Sequence, residues 1–242
     1  MCEGKCFCYF IKVALVFRNH NIASEKYSMK DLKIRKSKLI FLLPIAGAIL
    51  FLFFYYIATL NYPGGSQTDK HSKGFSWLHN YWCNLLNENS INGQPNAGRT
   101  YAMAGMLLLC LSLGWFWYFF ALYMQLKKSY RIVMQVSGVS SMCIAFFIFT
   151  TLHDAIINAA ALLALVALAF TFIGLCKMKW WKLFSFGILN LLLVMLNNWL
   201  YYGGGLFYLP VVQKITFVLF LLWVCLVSFR IYKFAGNMPA GV

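Results

Sequence analysis

LIFLLPIAGAILFLFFYYIATL, residues 39–60, carries no charged side chain from end to end. A helix crossing a bilayer needs roughly 20 consecutive apolar residues. A barrel strand needs about half that length and alternates in polarity. The run does not alternate, so it reads as a transmembrane helix. Five further runs are long and apolar: Thr100–Leu126, Ile132–Thr151, Ala155–Cys176, Trp180–Tyr201 and Pro210–Phe229, the last two with one lysine each, Lys182 and Lys214, near their starts. The chain as a whole is 62% hydrophobic and 11% charged, with mean hydropathy +0.69. Soluble domains carry about 25% charged residues. The expected fold is an all-α integral membrane protein of six transmembrane helices, with the lipid bilayer as its first partner.

The formal charge of +15 raises nucleic acid as a partner, and its placement argues against one. Lys33, Arg35, Lys36 and Lys38 precede the first run. Lys127, Lys128 and Arg131 lie between the second and third, Lys177, Lys179 and Lys182 between the fourth and fifth, and Arg230 and Lys233 after the sixth. The alternate connections carry fewer: Lys70, Lys73 and Arg99, then Lys214. Basic residues concentrate on the cytoplasmic side of membrane proteins. Both termini are therefore expected in the cytoplasm (N-in, C-in) and the 61–99 loop outside. The expected location is a cell membrane, as a multi-pass protein of the bacterial cytoplasmic membrane.

Residues 1–38 form a cytoplasmic segment, 39–234 the six-helix domain and 235–242 a cytoplasmic tail. Met29 opens MKDLKIRKSKLIFLLP, a natural start for a membrane protein with a basic lead. Residues 1–28 thus read as a dispensable extension, with a helix lying on the inner leaflet as the alternative. Cys2, Cys6 and Cys8 fall on the reducing side, and Cys83 faces outward without a partner, so no structural disulfide is expected.

The loop from Asn61 to Arg99 reads NYPGGSQTDKHSKGFSWLHNYWCNLLNENSINGQPNAGR. It holds two of the six acidic residues and two of the four histidines. Tyr62-Pro63-Gly64-Gly65 is a helix stop, and Asn92-Gly93 with Gln94-Pro95-Asn96 is turn chemistry. Between them, Ser76–Glu88 divides on a helical wheel. Trp77, Leu78, Tyr81, Trp82, Leu85 and Leu86 take one half; His79, Asn80, Cys83, Asn84, Asn87 and Glu88 take the other. The pattern predicts a short amphipathic helix with Ser76 as its N-cap, lying in the outer interface or lidding the bundle.

Other polar groups collect on the same side: His153, Asp154, Asn158, Asn197, Asn198, Gln213 and Lys214. His153, Asp154 and His79 are the catalytic candidates, because imidazole titrates near neutrality and a carboxylate orients it. Asp154 has a simpler role available, at a helix N-terminus where a carboxylate meets free N–H groups. Asp69, His79, Asn80, Asn84, Glu88, Arg99, Asn158 and Asn198 are the candidate binding residues. His79 and Cys83 have a spacing that can hold a metal, but one pair makes no site, so no metal and no cofactor are expected. No ionisable group lies near the centre of any span, where transporters keep them, and Asn190, Ser112 and Thr171 are the main polar groups there. Ser137 and Ser141 in the third run, and Ala155/Ala159 and Ala160/Ala164 in the fourth, are small pairs that let helices approach closely. The third and fourth runs are therefore expected to form a tight antiparallel hairpin. Tyr55, Tyr56, Trp180, Trp181, Trp199, Tyr201 and Tyr202 read as interfacial aromatics.

Three segments resemble a family of six-helix bacterial membrane proteins, the domain of unknown function DUF998. They are the loop from YPGG through GFSWLHNYWCNLLNE to NGQPNAGR, TTLHD at the fourth run, and LPVVQKITFVLFLLW in the sixth. The resemblance covers about residues 39–234 and implies six helices with a polar outer loop. Members often carry a serine–acid–leucine signature after the YPG turn. The similar place here reads Cys83-Asn84-Leu85, so a role needing a carboxylate there does not carry over. The family implies no activity.

Three functions remain open on the sequence. The first is a membrane protein binding a lipid, small molecule or partner at its outer end. The second is a membrane-embedded hydrolase or lipid-modifying enzyme using His153 and Asp154 with loop residues. The third, a transporter, is disfavoured by the apolar spans. Oligomeric state leaves no mark in the sequence.

Overall fold

Pro44 sets where the first helix begins. Its ring is compatible only with the first turn, where a missing N–H costs nothing. In the computed structural model, which describes residues 38–124, 126–150 and 152–236, a 3-10 turn over Lys38–Leu42 leads into α1, Leu43–Leu60. Then follow α2 (Arg99–Tyr123), α3 (Lys128–Ala145), α4 (His153–Lys177), α5 (Trp181–Tyr202) and α6 (Leu209–Gly236). The expectations about residues 1–37 and the 237–242 tail lie outside the described residues. Among the described residues there are six helices long and apolar enough to cross a membrane and no strand, only two isolated bridges. This is the make-up of a multi-pass membrane protein.

Helices neighbouring in sequence pack against one another, and α6 returns to touch α1 and α2. α2 is the most buried of the six and α5 the least. Lipid is as apolar as leucine, so close packing and interhelical hydrogen bonds hold such a bundle. α1 and α2 meet where Gly47 faces Ser112, and a Cβ on Gly47 would lie 2.3 Å from the Ser112 side chain. α2 and α3 meet where Gly138 receives the fully buried Trp117. The expected α3–α4 hairpin is present, with the buried Ser141 hydroxyl donating to Ala160 O across it at 2.7 Å. Ala155 and Ala159 are exposed instead. The aromatic pairs also split. Tyr55 and Trp180 are buried, while Tyr56, Trp181, Trp199, Tyr201 and Tyr202 are exposed.

The expected helix over Ser76–Glu88 does not form as one piece. Ser76 does cap, accepting from His79 N at 3.3 Å, but only for a single turn. Tyr81 is then extended, and a 3-10 helix runs from Trp82 to Leu86. The asparagines are the cause. Asn80 Oδ1 takes the Ser76 N–H and Asn84 Oδ1 takes the Tyr81 N–H. Side chains that bond nearby backbone compete with helix propagation. The burial follows the wheel only in part, with Trp82, Leu85 and Leu86 buried and Asn87 and Glu88 exposed as expected. Asn80 and Asn84, placed on the polar half by the wheel, are buried, whereas Trp77 and Leu78 are exposed.

Candidate functional site

The loop over residues 61–98 is a cap stitched by amide side chains. Asn80 spends every polar group: Oδ1 accepts from Ser76 N, Nδ2 donates to Gly65 O at 2.9 Å, and its carbonyl accepts from Lys214 Nζ at 2.5 Å. Asn96 Nδ2 donates to Leu85 O and Asn87 O at 3.0 Å, with Asn84 O at 3.4 Å, and its Oδ1 accepts from Gly98 N. Gly65 has φ +83°, with the Ile91–Asn92 backbone where a Cβ would stand, so the turn closes only on glycine. Tyr62 reaches across as well, its hydroxyl accepting from Ile91 N at 3.0 Å. Burial pushes that phenol above its ordinary pKa, opposed by hydrogen bonds from the Ile91 backbone and the Asn80 side chain.

Two residues of α6 dock this cap. Gln213 Oε1 accepts from Trp82 N at 3.3 Å. The buried Lys214 donates to Asn80 O and to Pro210 O at 2.8 Å, and lies 5.8 Å from the Phe75 ring centroid. Trp82 drops into an aromatic nest of Phe51, Tyr55 and Phe217. Hydrogen bonds to a charged donor contribute about 1.5–3 kcal/mol each. We therefore expect Lys214→Met, which keeps the stem and removes the donors, to undock the cap. Limited proteolysis should cut within residues 67–74 at least tenfold faster than in the wild type. An unchanged digestion rate would show that Lys214 does not hold the cap.

The candidates separate under this geometry. Asp69 shapes a turn, its Oδ1 accepting from His71 N at 2.8 Å. Glu88 pairs with Arg99 at 2.9 Å in an exposed bridge, a class worth about 0–1 kcal/mol. His79 Nδ1 bonds the Ser76 hydroxyl at 3.2 Å, and its ring packs on Phe207. Asn158 is exposed, and Asn198 bonds back to Val194 O of its own helix. Asn197 links α5 to Thr216 of α6 at 2.6 Å. These residues do not converge.

His153 and Asp154 remain together at the start of α4, with Asp154 Oδ1 against His153 Nδ1 at 3.0 Å. Cys83 of the loop is half-buried and free. Among the described residues, no group of three His, Cys, Asp or Glu side chains is arranged to hold a metal ion.

No family model, no curated protein and no solved structure matches the chain.

Proposed function

We propose that this protein is a multi-pass membrane protein that binds an amphiphile, a lipid or lipid-like small molecule, at the loop end of its bundle. One observation carries the reading: the cap is a long, irregular segment held rigid by buried amide side chains and Lys214. Irregular loops longer than about 12–15 residues are uncommon in compact domains and usually functional. Exposed apolar residues surround this one. Trp77 and Leu78 on the cap and Phe207 and Tyr208 after α5 offer apolar surface. His153 and Asp154 offer polar groups at the start of α4.

The loop end faces out of the cytoplasm in this reading. Lys127, Lys128, Arg131, Lys177, Lys179, Lys182, Arg230 and Lys233 sit at the other end of the spans, which supports that orientation. The resemblance to the DUF998 family is kept as a proposal on the three segments that carry it. The test uses a radiolabelled alkyl-ether lysophospholipid, which cannot be deacylated. Purified protein should retain it saturably, and Trp77→Ala with Phe207→Ala should weaken retention at least fivefold. In intact cells, an impermeant maleimide should label Lys70→Cys and leave Lys179→Cys unlabelled. Non-saturable retention, or the reverse labelling pattern, would refute the corresponding half of the proposal.

A further inference from the structure

The buried serine and threonine hydroxyls of the six helices have partners, with one exception. Thr59, Ser112, Ser137, Thr171 and Thr216 donate to carbonyls of their own helices, and Ser141 donates across to Ala160 O. Bonding back to the preceding turn is how a span ordinarily satisfies a hydroxyl. Ser228 on α6 does not. It is 2% exposed, and its Oγ has no hydrogen-bond partner. A buried hydroxyl left unpaired carries its full desolvation penalty.

That hydroxyl lines a narrow cleft where the Lys38–Leu42 turn and the start of α1 meet α2 and α6. Phe41, Trp115, Phe116, Phe119 and Phe120 wall it. On α2 the Trp115 and Phe119 rings lie 4.3 Å apart and the Phe116 and Phe120 rings 5.1 Å apart, each pair one helical turn apart. Trp115 Nε1 is spent on Ile40 O at 3.2 Å. Ser228 Oγ is therefore the unspent polar group among the lining side chains. The enclosed end has room for roughly one water-sized group. A buried water needs about 2–4 polar partners, and these side chains offer a single hydroxyl. The group that fits is an acceptor carried in by a molecule whose body is apolar. The mouth lies beside Trp115, which is 38% exposed, and Leu111 one turn along α2 is 63% exposed.

The cleft lies at the other end of the bundle from the loop. Ser228 is about four turns beyond Lys214 on α6, or ~20 Å along the axis. Lys127 and Lys128 are exposed just past α2 at this end. Arg230 and Lys233 lie over the Trp180 and Phe229 rings in the last turns of α6. The acids among the described residues, Asp69, Glu88 and Asp154, all belong to the loop end. Lysines at a membrane surface attract anionic headgroups. We propose that the cleft seats an anionic glycerophospholipid from the leaflet at the basic end. Ser228 Oγ donates to an acyl-ester carbonyl, and the chain runs toward the bilayer centre over Trp115 and Leu111. The phosphate faces Lys127 and Lys128. This site is separate from the loop end and does not rest on the amphiphile reading given for that end.

The probe is diacyl phosphatidylglycerol with a diazirine in one chain, added to the purified full chain in mixed micelles. Peptide mass spectrometry locates the cross-link, which should concentrate on the Lys38–Leu42 turn and on residues 111–120. Unlabelled lipids then compete for it. Dialkyl-ether phosphatidylglycerol has the same head and no ester carbonyl. It should compete about fivefold more weakly than the diacyl lipid, the worth of one hydrogen bond. This comparison needs only the wild type. In Ser228→Ala the two lipids should compete equally. That variant removes a hydroxyl that bonds nothing in the protein, so it should fold as the wild type does. Diacyl phosphatidylcholine, which has no net charge, should compete about fivefold more weakly than phosphatidylglycerol in both proteins. Equal competition by ester and ether lipids in the wild type overturns the proposal, as does equal competition by the two diacyl lipids. Cross-links spread evenly along the spans would show only the lipid that surrounds any membrane protein, and also overturn it. So would a cleft without adducts, whether a segment of the chain or a second copy fills it. None of these results bears on retention of the ether lysophospholipid at the loop end.

Discussion

Asn96→Ala should release the cap from the bundle and lower the stability of the loop by roughly 3–5 kcal/mol. The side chain removed is 7% exposed and satisfies the Leu85 and Asn87 carbonyls, shares the Asn84 carbonyl, and accepts the Gly98 N–H. Each buried group left without a partner costs about 1–3 kcal/mol. Asn96→Asp is the sharper variant. It preserves size and the acceptor for Gly98, but aims a carboxylate at three carbonyl oxygens. It should be no more stable than the alanine variant, because the position requires a donor. Amide hydrogen exchange across residues 82–98 reads this directly. Protection should fall sharply in both variants, while α3 and α4 exchange as before. An Asn96→Asp protein with wild-type protection would show that the amide is not what holds the turn.

Gly138→Ala should damage the bundle itself. A Cβ there would stand 2.4 Å from Trp117 Cγ and 2.6 Å from its Cβ. Trp117 is 1% exposed and lies in the core shared by α2 and α3. Overpacking costs typically about 1–3 kcal/mol, and this contact belongs at the upper end because a backbone-anchored atom is involved. Thermal unfolding followed by size exclusion should show a fall of several degrees. Gly114→Ala is the matched control, since its Cβ would meet nothing nearer than Met142 Cβ at 4.0 Å. Trp117→Ala should not rescue Gly138→Ala, since alanine retains the Cβ that clashes. A rescued double variant would place the clash in the indole ring instead.

Much of the architecture was legible residue by residue. Apolar runs nearly free of charge gave six spans, each overlapping one of the six helices. The turn chemistry of Asn92-Gly93 holds, with Gly93 at φ +85° and Ser90 N bonding Gln94 O at 2.9 Å. Ser141 lies in the α3–α4 contact as its spacing implied. The misreading in the loop has a definite origin. The helical wheel sorts side chains by polarity, and it sorted Asn80 and Asn84 with water. Asparagine amides can instead bond the loop backbone and be buried fully satisfied, which polarity alone does not distinguish.

The sequence by itself determined the helices, because length and the scarcity of charge decide what can cross a membrane and both are local properties. It also determined which polar groups were available for a site. Only the tertiary structure decided which of them meet. Glu88 is taken by Arg99, His79 by Ser76, and Asn80 and Asn96 by the backbone of their own loop. Trp82 and Asn80 of the loop meet Gln213 and Lys214 of α6. These contacts join the first loop to the sixth helix. Their energy lies in burial and hydrogen bonds between distant segments, which no local pattern of residues encodes.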